Sequence, residues 1–276
     1  MGHALQERYS AMVLAKLRKE LVLKDGIVFN TYYEGDPKAG AVKVPKRDTE
    51  VAVRDYNTAT GLDPQAGATE YVTVNITKDV GVNEIIDGYE AAAVPDGMVA
   101  ERLDSAGYSL AAKLDSEGGA KLLAGATEKE LAAAADATNI YDTIVDVRTQ
   151  MSKANVPNDN RRYLLVTPDT LALILKDTEH FIRASELGDD VVQAGIIGRI
   201  AGFNVIEWND STANLVAVAG HPEFATRVNE WSVPVKLQDL SQSGKWIGAS
   251  AVQGRMVFDH AVTRKEAIIK IMNPGG

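Results

Sequence analysis

The chain has 276 residues, 45% of them hydrophobic, which is enough to fill one large core or two smaller ones. Its 38 acidic and 29 basic side chains give a net charge of −9, which disfavours a DNA-binding protein because the surface repels phosphates. Cysteine is absent, which excludes disulfides, thiolate metal sites and cysteine nucleophiles. No apolar run is long enough to span a membrane, and the charged start is unlike a signal peptide, so we expect a soluble, intracellular protein.

The first segment predicts an amphipathic helix over residues 4–23, in which leucine, methionine and valine alternate with charged residues. The sequence Lys24-Asp25-Gly26 ends it. Because the apolar stripe of a terminal helix needs a surface to cover it, this helix packs either on its own subunit or on a neighbour. The sequence alone leaves both alternatives open.

The next segment, residues 25–74, predicts two strand-like arms rich in β-branched and aromatic residues. The arms flank a polar middle, residues 57–69, with the sequence NTATGLDPQAGAT, and an alternating strand follows at residues 71–76. A long two-stranded ribbon is marginal alone in water. It therefore requires contacts, either with its own core or elsewhere.

Two helices are predicted in the following part of the chain. Residues 80–94 are partly strand-like, and residues 98–123 have helical spacing that Gly118-Gly119 weakens. Residues 127–137 are alanine-rich and indicate a loose turn or a short helix. Residues 139–154 predict a second helix. Its apolar stripe consists of Ile140, Ile144, Val147 and Met151.

Residues 160–208 combine several elements. A β-rich run over residues 162–166 stops at Thr167-Pro168, and a helix is predicted from Asp169 onward. Its predicted apolar face consists of Leu171, Ile174 and Leu175. No single period fits residues 181–193, and glycines at 195, 198 and 202 then lead into an apolar strand at residues 203–208.

Four further strands are predicted after Trp208. The first covers residues 214–219, and a turn follows it at Gly220-His221-Pro222-Glu223. The other three, residues 233–237, 247–256 and 268–272, are expected to form one closing sheet.

The residues that carry chemistry in other proteins form no catalytic or metal-binding motif here. The four histidines, at positions 3, 180, 221 and 260, are dispersed, and the neighbouring pairs Glu179-His180 and Asp189-Asp190 indicate solvated loops. The glycines match neither nucleotide-loop pattern, and a tight turn with positive φ explains them. Arg161-Arg162 indicates a strand entrance, an interface ion pair or an anion site. We therefore predict no catalytic, cofactor-binding or metal-binding residues.

The order of elements over residues 160–208 carries a family resemblance. The sequence VTPDT, in a strand followed by a helix, precedes a turn and strand with the pattern G-x-x-G-x-x-x-G-F-x-V. This arrangement resembles the major capsid proteins of tailed bacteriophages, which have the Hong Kong 97-type shell fold. The resemblance implies an α+β fold with five parts. These are an N-terminal arm (1–25), an extended β loop (26–76), a peripheral domain with a long spine helix (77–126), an axial domain (127–225) and peripheral return strands (226–276).

The function that the resemblance implies is structural rather than enzymatic. Copies of the chain would assemble as pentamers and hexamers into an icosahedral capsid that encloses the genome of a tailed phage or prophage. The extended loop would lie over the adjacent subunit, and the arm would also contact a neighbour. Packaged DNA would be bound only non-specifically, and scaffolding, portal and decoration proteins are further expected partners. Assembly would take place in the host bacterial cytoplasm, giving a virion capsid.

Several questions stay open under this resemblance. Some members of the family join subunits by an isopeptide bond from a loop lysine, and Lys38, Lys43 and Lys46 lie in the matching ribbon, but no matching asparagine or glutamate is identified. No cleaved scaffolding extension precedes the arm, so scaffolding is expected either as a separate protein or as a segment already removed. The alternatives to a phage capsid are an encapsulin-like nanocompartment shell and an α/β enzyme with dispersed site residues.

Overall fold

The computed structural model describes residues 18–47, 50–67, 69–89, 98–176, 181–183, 196–241 and 245–275. The helices are α1 (Met98–Gly125), α2 (Ile140–Lys153) and α3 (Pro168–Lys176). The strands are β1 (Ala41–Lys46), β2 (Glu70–Asn75), β3 (Lys78–Ile86), β4 (Thr127–Glu130), β5 (Tyr163–Val166), β6 (Phe181–Arg183), β7 (Gly198–Ile200), β8 (Phe203–Glu207), β9 (Leu215–Gly220), β10 (Ala225–Asp239), β11 (Ser250–Val262) and β12 (Ile269–Met272). The predicted α+β class is confirmed.

The strands of the described residues form three sheets. Strands β1 and β2 form a two-stranded antiparallel ribbon, and a three-stranded antiparallel sheet has the order β10-β11-β3. A mixed seven-stranded sheet has the order β4-β12-β9-β5-β8-β7-β6. The long helix α1 packs against β11 and β10, so the three-stranded sheet and this helix form one unit, and the seven-stranded sheet with α2 and α3 forms the other.

The seven-stranded sheet is covered on both faces at its centre. All residues of β5 and β9 are buried, as expected for central strands. Leu164 and Val166 pack with the apolar faces of α2 and α3. Tyr163 and Leu165 point the other way and pack with Trp208 near the end of α1. The core is therefore continuous from the two short helices, through the sheet, to the long helix.

Helix α1 is continuous through the glycine pair that weakened its prediction. A Cβ atom at Gly118 would lie 3.1 Å from the rings of both Phe29 and His260, and one at Gly119 would lie 2.7 Å from the Trp208 ring. The glycines thus allow three buried rings to approach the helix backbone closely. Packing of these rings outweighs the intrinsic cost of glycine in a helix, about 1 kcal/mol each.

Two predictions for the start and the middle of the chain are wrong within the described residues. Residues 18–23 are not helical, and Val22 and Leu23 are instead buried in the subunit core; the rest of the predicted helix lies outside the described residues. Thr127–Glu130 is a strand, although the alanine-rich sequence there indicated a turn or helix. This strand forms because it pairs in parallel with β12, a partner that local composition does not reveal.

The predictions for the second half need three corrections. Leu175 is 47% exposed, and Thr170 completes the buried face of α3 in its place. The segment from residue 181 begins with strand β6, although no period fitted it, and residues 184–195 lie outside the described residues. The predicted closing sheet is divided, because β12 pairs with β9 and β4 in the seven-stranded sheet while β10 and β11 belong to the other sheet.

The chain crosses between the two sheet units three times, from α1 to β4, from β9 to β10 and from β11 to β12. These connections are hydrogen-bonded to one another. The Thr127 N–H donates to the Ile268 carbonyl at 2.8 Å, and the Thr263 N–H donates to the Phe224 carbonyl at 2.9 Å. The side-chain amide of Asn30 also donates to the carbonyl of Pro222 in the middle connection at 2.9 Å. The two sheet units are therefore joined by three chain connections that are also linked by hydrogen bonds, rather than by a single linker.

Candidate assembly surface

The β1–β2 ribbon is attached to its own subunit only at its base. The strands pair in a continuous antiparallel register from Ala41–Asn75 to Lys46–Glu70. Val44 and Val74 are buried there against Val228 of β10. The predicted two-stranded ribbon is confirmed over β1 and β2, and this base is stabilised within the chain.

The outer part of the ribbon, residues 50–67, makes few contacts, one of which is a hydrogen bond from the Arg54 guanidinium to the Asp63 carbonyl. Among the described residues beyond β1 and before β2, backbone pairing is limited to the bridge between Asn57 and Gly61. A gap of about 450 Å³ separates the two arms near Val51. Val53 is 98% exposed and Tyr56 is 71% exposed. Unpaired extended backbone with exposed apolar side chains is a surface that other proteins cover by association.

The ribbon lysines do not share one environment. Lys38 and Lys43 are exposed, and Lys46 is half-buried at the base of the ribbon. Cross-linking through one of them stays a prediction.

The first described residues, Arg18 and Lys19, lie alongside α1. The Arg18 guanidinium lies 2.6 Å from the Asp104 carboxylate and 4.8 Å from the centre of the Tyr108 ring. The Tyr108 hydroxyl donates to the Lys19 carbonyl at 2.8 Å. The first described residues of the predicted arm therefore run along the N-terminal half of the long helix.

A buried polar cluster holds the next residues. The Leu23 N–H donates to Oδ1 of Asp115 on α1 at 2.9 Å, and Arg227 on β10 donates to the Leu23 carbonyl at 2.8 Å. Arg227 also donates to Asp25 at 2.7 Å and to Nε2 of His260 at 3.0 Å. Burial raises the pKa of the Asp115 carboxyl. Burial, together with the positive charge of Arg227, lowers the pKa of His260 to about 3, so this imidazole is neutral and accepts the hydrogen bond.

A second exposed aromatic site lies on the three-stranded sheet. Trp231 on β10 is partly exposed, and the Arg255 guanidinium lies 5.4 Å from the centre of its ring. Nε of Arg255 donates to the Asp79 carboxylate at 2.8 Å. Tryptophan and arginine are common in the energetic centres of interfaces. This site and the ribbon are therefore candidate surfaces for contact with another protein.

The histidines and acidic pairs singled out in the sequence do not come together. His221 is buried, with Nε2 2.9 Å from Asp159, while His260 belongs to the cluster at Arg227. His3, His180 with Glu179, and Asp189 with Asp190 lie outside the described residues. Across the ranges that the structure describes, no three His, Asp or Glu side chains converge on a possible metal position. None of the helices in those ranges has the length and apolar character needed to cross a membrane.

The two adjacent arginines have separate structural roles. Arg162 is buried and donates to the carbonyls of Val156 and Pro157, which follow the C-terminus of α2. Arg161 instead lies 3.3 Å from the Glu223 carboxylate, in the connection from β9 to β10. The geometry matches an ion pair for Arg161, whereas Arg162 fixes the segment that follows α2 by donating to its backbone carbonyls.

The predicted glycine turn is confirmed at one position. Ala201 and Gly202 have φ values of 47° and 83° and form the two-residue connection between β7 and β8. Two successive positive φ values are characteristic of the tight hairpin turn that favours glycine at its second position. Gly198 begins β7, and Gly195 lies outside the described residues.

Comparison with known proteins identifies related sequences and folds. A family model described as phage capsid protein matches residues 86–271, more than half of the chain. The structure from Mycobacterium phage Che8 has a TM-score of 0.74 at 22% identity, over 97% of this chain and 96% of that chain. The capsid structure of cyanophage P-SCSP1u has a TM-score of 0.77 at 14% identity, over 98% and 93%. The mature capsid of bacteriophage PhiM1 has a TM-score of 0.72 at 12% identity, over 99% and 93%. No curated protein sequence matches the chain.

Proposed function

From the premise that the chain belongs to the phage capsid protein family, we propose that its ribbon and its N-terminal arm join neighbouring copies in an icosahedral shell. The protein is a structural subunit of a phage capsid and has the Hong Kong 97-type fold. No observation favours the nanocompartment or the enzyme alternative. The proposal therefore concerns how the subunits hold one another.

The observation that carries the proposal is the bare outer part of the ribbon. Its base is buried on the subunit, but Val53 and Tyr56 are largely exposed to solvent. A two-stranded hairpin is at best marginally stable in water without a third strand or a covering surface. An adjacent copy supplies that surface, and repetition over many copies turns a small interface into a stable shell.

We also propose the domain division that the resemblance implied. The parts are the arm (1–25), the extended loop (26–76), the peripheral domain (77–126), the axial domain (127–225) and the peripheral return (226–276). The packing of α1 on the three-stranded sheet supports the peripheral unit, and the seven-stranded sheet supports the axial unit. The pairing of β12 with β9 supports assigning Ile269–Met272 to the axial unit rather than to the return.

The proposal extends to the chemical role of the subunit, its partners and the site of its assembly. We infer that the subunit has no catalytic role, since the described polar side chains singled out in the sequence bind backbone carbonyls, neighbouring side chains and ion-pair partners. We further infer assembly in the host bacterial cytoplasm, with scaffolding, portal and decoration proteins as candidate partners. Packaged DNA is expected to make only non-specific contacts, because the chain is acidic.

Replacing residues 57–69 with a short Gly-Ser linker tests the role of the ribbon. The variant is expected to keep the melting temperature of the subunit, because the described residues of this range are exposed or half-exposed, and to form no regular shells. Electron microscopy and sedimentation measure assembly, and circular dichroism measures folding.

A matched pair of point variants sharpens this test. Leu62 on the ribbon and Leu175 on α3 are each 47% exposed. Leu62→Asp is expected to reduce assembly strongly, whereas Leu175→Asp is expected to leave it near the wild-type level. Normal shells from the linker variant would refute the role proposed for the ribbon.

A further inference from the structure

We propose that Asp115 and Arg227 are positioning residues that clamp the root of the N-terminal arm, residues 23–25, to the long helix and to β10. This inference rests on the proposed function, in which the arm of one copy docks on its neighbour. In the shell, the clamp fixes the point and direction at which the arm leaves the subunit. Binding of the arm by a neighbour then stabilises the shell through a rigid connection.

The clamp holds the main chain of Leu23 from two sides. Its N–H donates to the Asp115 carboxylate on α1 at 2.9 Å, and its carbonyl accepts from Nη2 of Arg227 on β10 at 2.8 Å. The negative group meets the backbone donor and the positive group meets the backbone acceptor, so both bonds are charge-assisted. These bonds fix the backbone itself, which apolar contacts of the Leu23 side chain alone do not do.

Every nitrogen of the Arg227 guanidinium is used. Besides the Leu23 carbonyl, Nη1 donates to Asp25 at 2.7 Å and Nε donates to Nε2 of His260 at 3.0 Å. The group also lies 5.2 Å from the centre of the Phe29 ring. Contacts on three sides leave the guanidinium a single orientation, which is a requirement for a positioning group.

The cost of this arrangement indicates a role beyond packing. Asp115 is only 5% exposed, and burial of a carboxylate is unfavourable unless its bonds are complete. An apolar side chain at this position of α1 would avoid that cost but would leave the buried Leu23 N–H without its acceptor. The carboxylate thus fixes the backbone of residue 23, in addition to the packing of the Leu23 side chain in the core.

The contacts earlier in the segment are weaker. Arg18 pairs with Asp104, whose side chain is 66% exposed, so water and salt screen this pair. The firm attachment of the arm therefore lies at residues 23–25. A force applied to the arm would be transmitted to the rest of the subunit through the clamp.

A fluorescent label on the arm tests the clamp directly. The chain has no cysteine, so Ala11→Cys provides a single labelling site. Labelled variants are co-assembled with an excess of unlabelled wild-type protein, so that shells form in every case. Fluorescence anisotropy of the label is compared between shells and free subunits, and the melting temperature of each free subunit is recorded.

The variants distinguish an effect on the position of the arm from an effect on folding of the subunit. Asp115→Asn keeps an oxygen acceptor for the Leu23 N–H and is expected to give the high anisotropy of wild type in shells. Asp115→Leu removes the acceptor and is expected to lower the anisotropy in shells towards the value of free subunits. Asp25→Ala, which removes only the partly exposed partner of Arg227, is expected to give an intermediate value and covers the case in which Asp115→Leu does not fold.

The outcomes distinguish this inference from the proposed function. If the wild-type label is as mobile in shells as in free subunits, the arm does not dock on a neighbour, and that part of the proposed function fails together with the clamp. If the label is immobilised in wild type and equally immobilised in folded Asp115→Leu and Asp25→Ala, the arm docks but the clamp is refuted.

Discussion

At the scale of single residues, several positions are explained by contacts between distant parts of the chain. Gly118 and Gly119 look unfavourable in a helix, yet they face three buried rings from other elements. Asp115 and Arg227 look like ordinary polar residues of a helix and a strand, yet both bind the backbone of Leu23. None of these partners is near in sequence, so no local pattern reveals them.

Gly119→Ala is expected to destabilise the free subunit by about 1–3 kcal/mol, because the new Cβ would lie 2.7 Å from the buried Trp208 ring. Thermal or urea unfolding of unassembled protein measures the change. Gly107→Ala is the matched control in the same helix, where no atom lies within 4 Å of the new Cβ. The control is expected to stabilise by up to about 1 kcal/mol through helix propensity. Equal effects of the two variants would contradict the close-approach explanation.

At the scale of elements, the sequence predicted those whose pattern is local. The stripe of α2 from Ile140 to Met151 is buried as predicted, because 3.6-residue spacing reports directly on one face of a helix. The ribbon was also predicted, because its polar middle separates two β-rich arms. Strand β4 was missed, because its TEKE sequence forms a strand only by pairing with β12 near the other end of the described chain.

The sequence also predicted part of the candidate assembly surface, namely the exposure of the ribbon but not the contacts at its base. Ribbon residues 57–67 are exposed or half-exposed, as their largely polar sequence indicated. The burial of Val44 and Val74 against Val228 at the base was not predicted, because Val228 belongs to a strand from the other half of the chain. The clamp at residues 23–25 was missed for the same reason.

Strand β11 carries two adjacent buried groups that make subunit stability depend on pH. His260 has its pKa lowered to about 3, so between about pH 6.5 and 3 the unfolded chain binds a proton that the folded chain does not. Stability is therefore lost as pH falls through this window, by up to about 1.4 kcal/mol per pH unit. The lowered pKa of Asp259 acts in the same direction below about pH 4, while the raised pKa of Asp115 opposes both.

His260→Gln keeps an acceptor for Arg227 and removes the titration. We expect unfolding free energies measured from pH 7 to pH 4.5 to fall less steeply for this variant than for wild type. An identical slope would mean that His260 does not cause the loss. Measurements on unassembled subunits at constant ionic strength exclude effects of assembly.

At the scale of the whole molecule, charge opposes association while the uncovered ribbon favours it. Each copy carries a net charge of −9, so neighbouring copies repel one another at low salt. Raising the ionic strength from about 0.01 M to about 0.1 M shortens the screening length from about 30 Å to about 10 Å. The apolar contacts of the ribbon are not weakened by this change.

The critical concentration for shell assembly is therefore expected to fall as sodium chloride is raised over this range. Light scattering at a series of protein concentrations gives the value at each salt concentration. A sucrose series of equal viscosity controls for non-ionic effects of the added solute. A critical concentration that rises with salt would instead indicate that ion pairs between copies dominate assembly.

The three connections between the sheet units also restrict which recombinants between the genes of this protein and its relatives can encode a folded subunit. The seven-stranded unit is built from residues 127–220 together with β12, so it is not one continuous stretch of the gene. A single genetic crossover between β3 and β12 would divide at least one sheet between two parents. Exchange of one intact sheet unit would need three junctions, one in each connection. Chimaeras with one junction between β3 and β12 are thus expected to combine mismatched halves of a core.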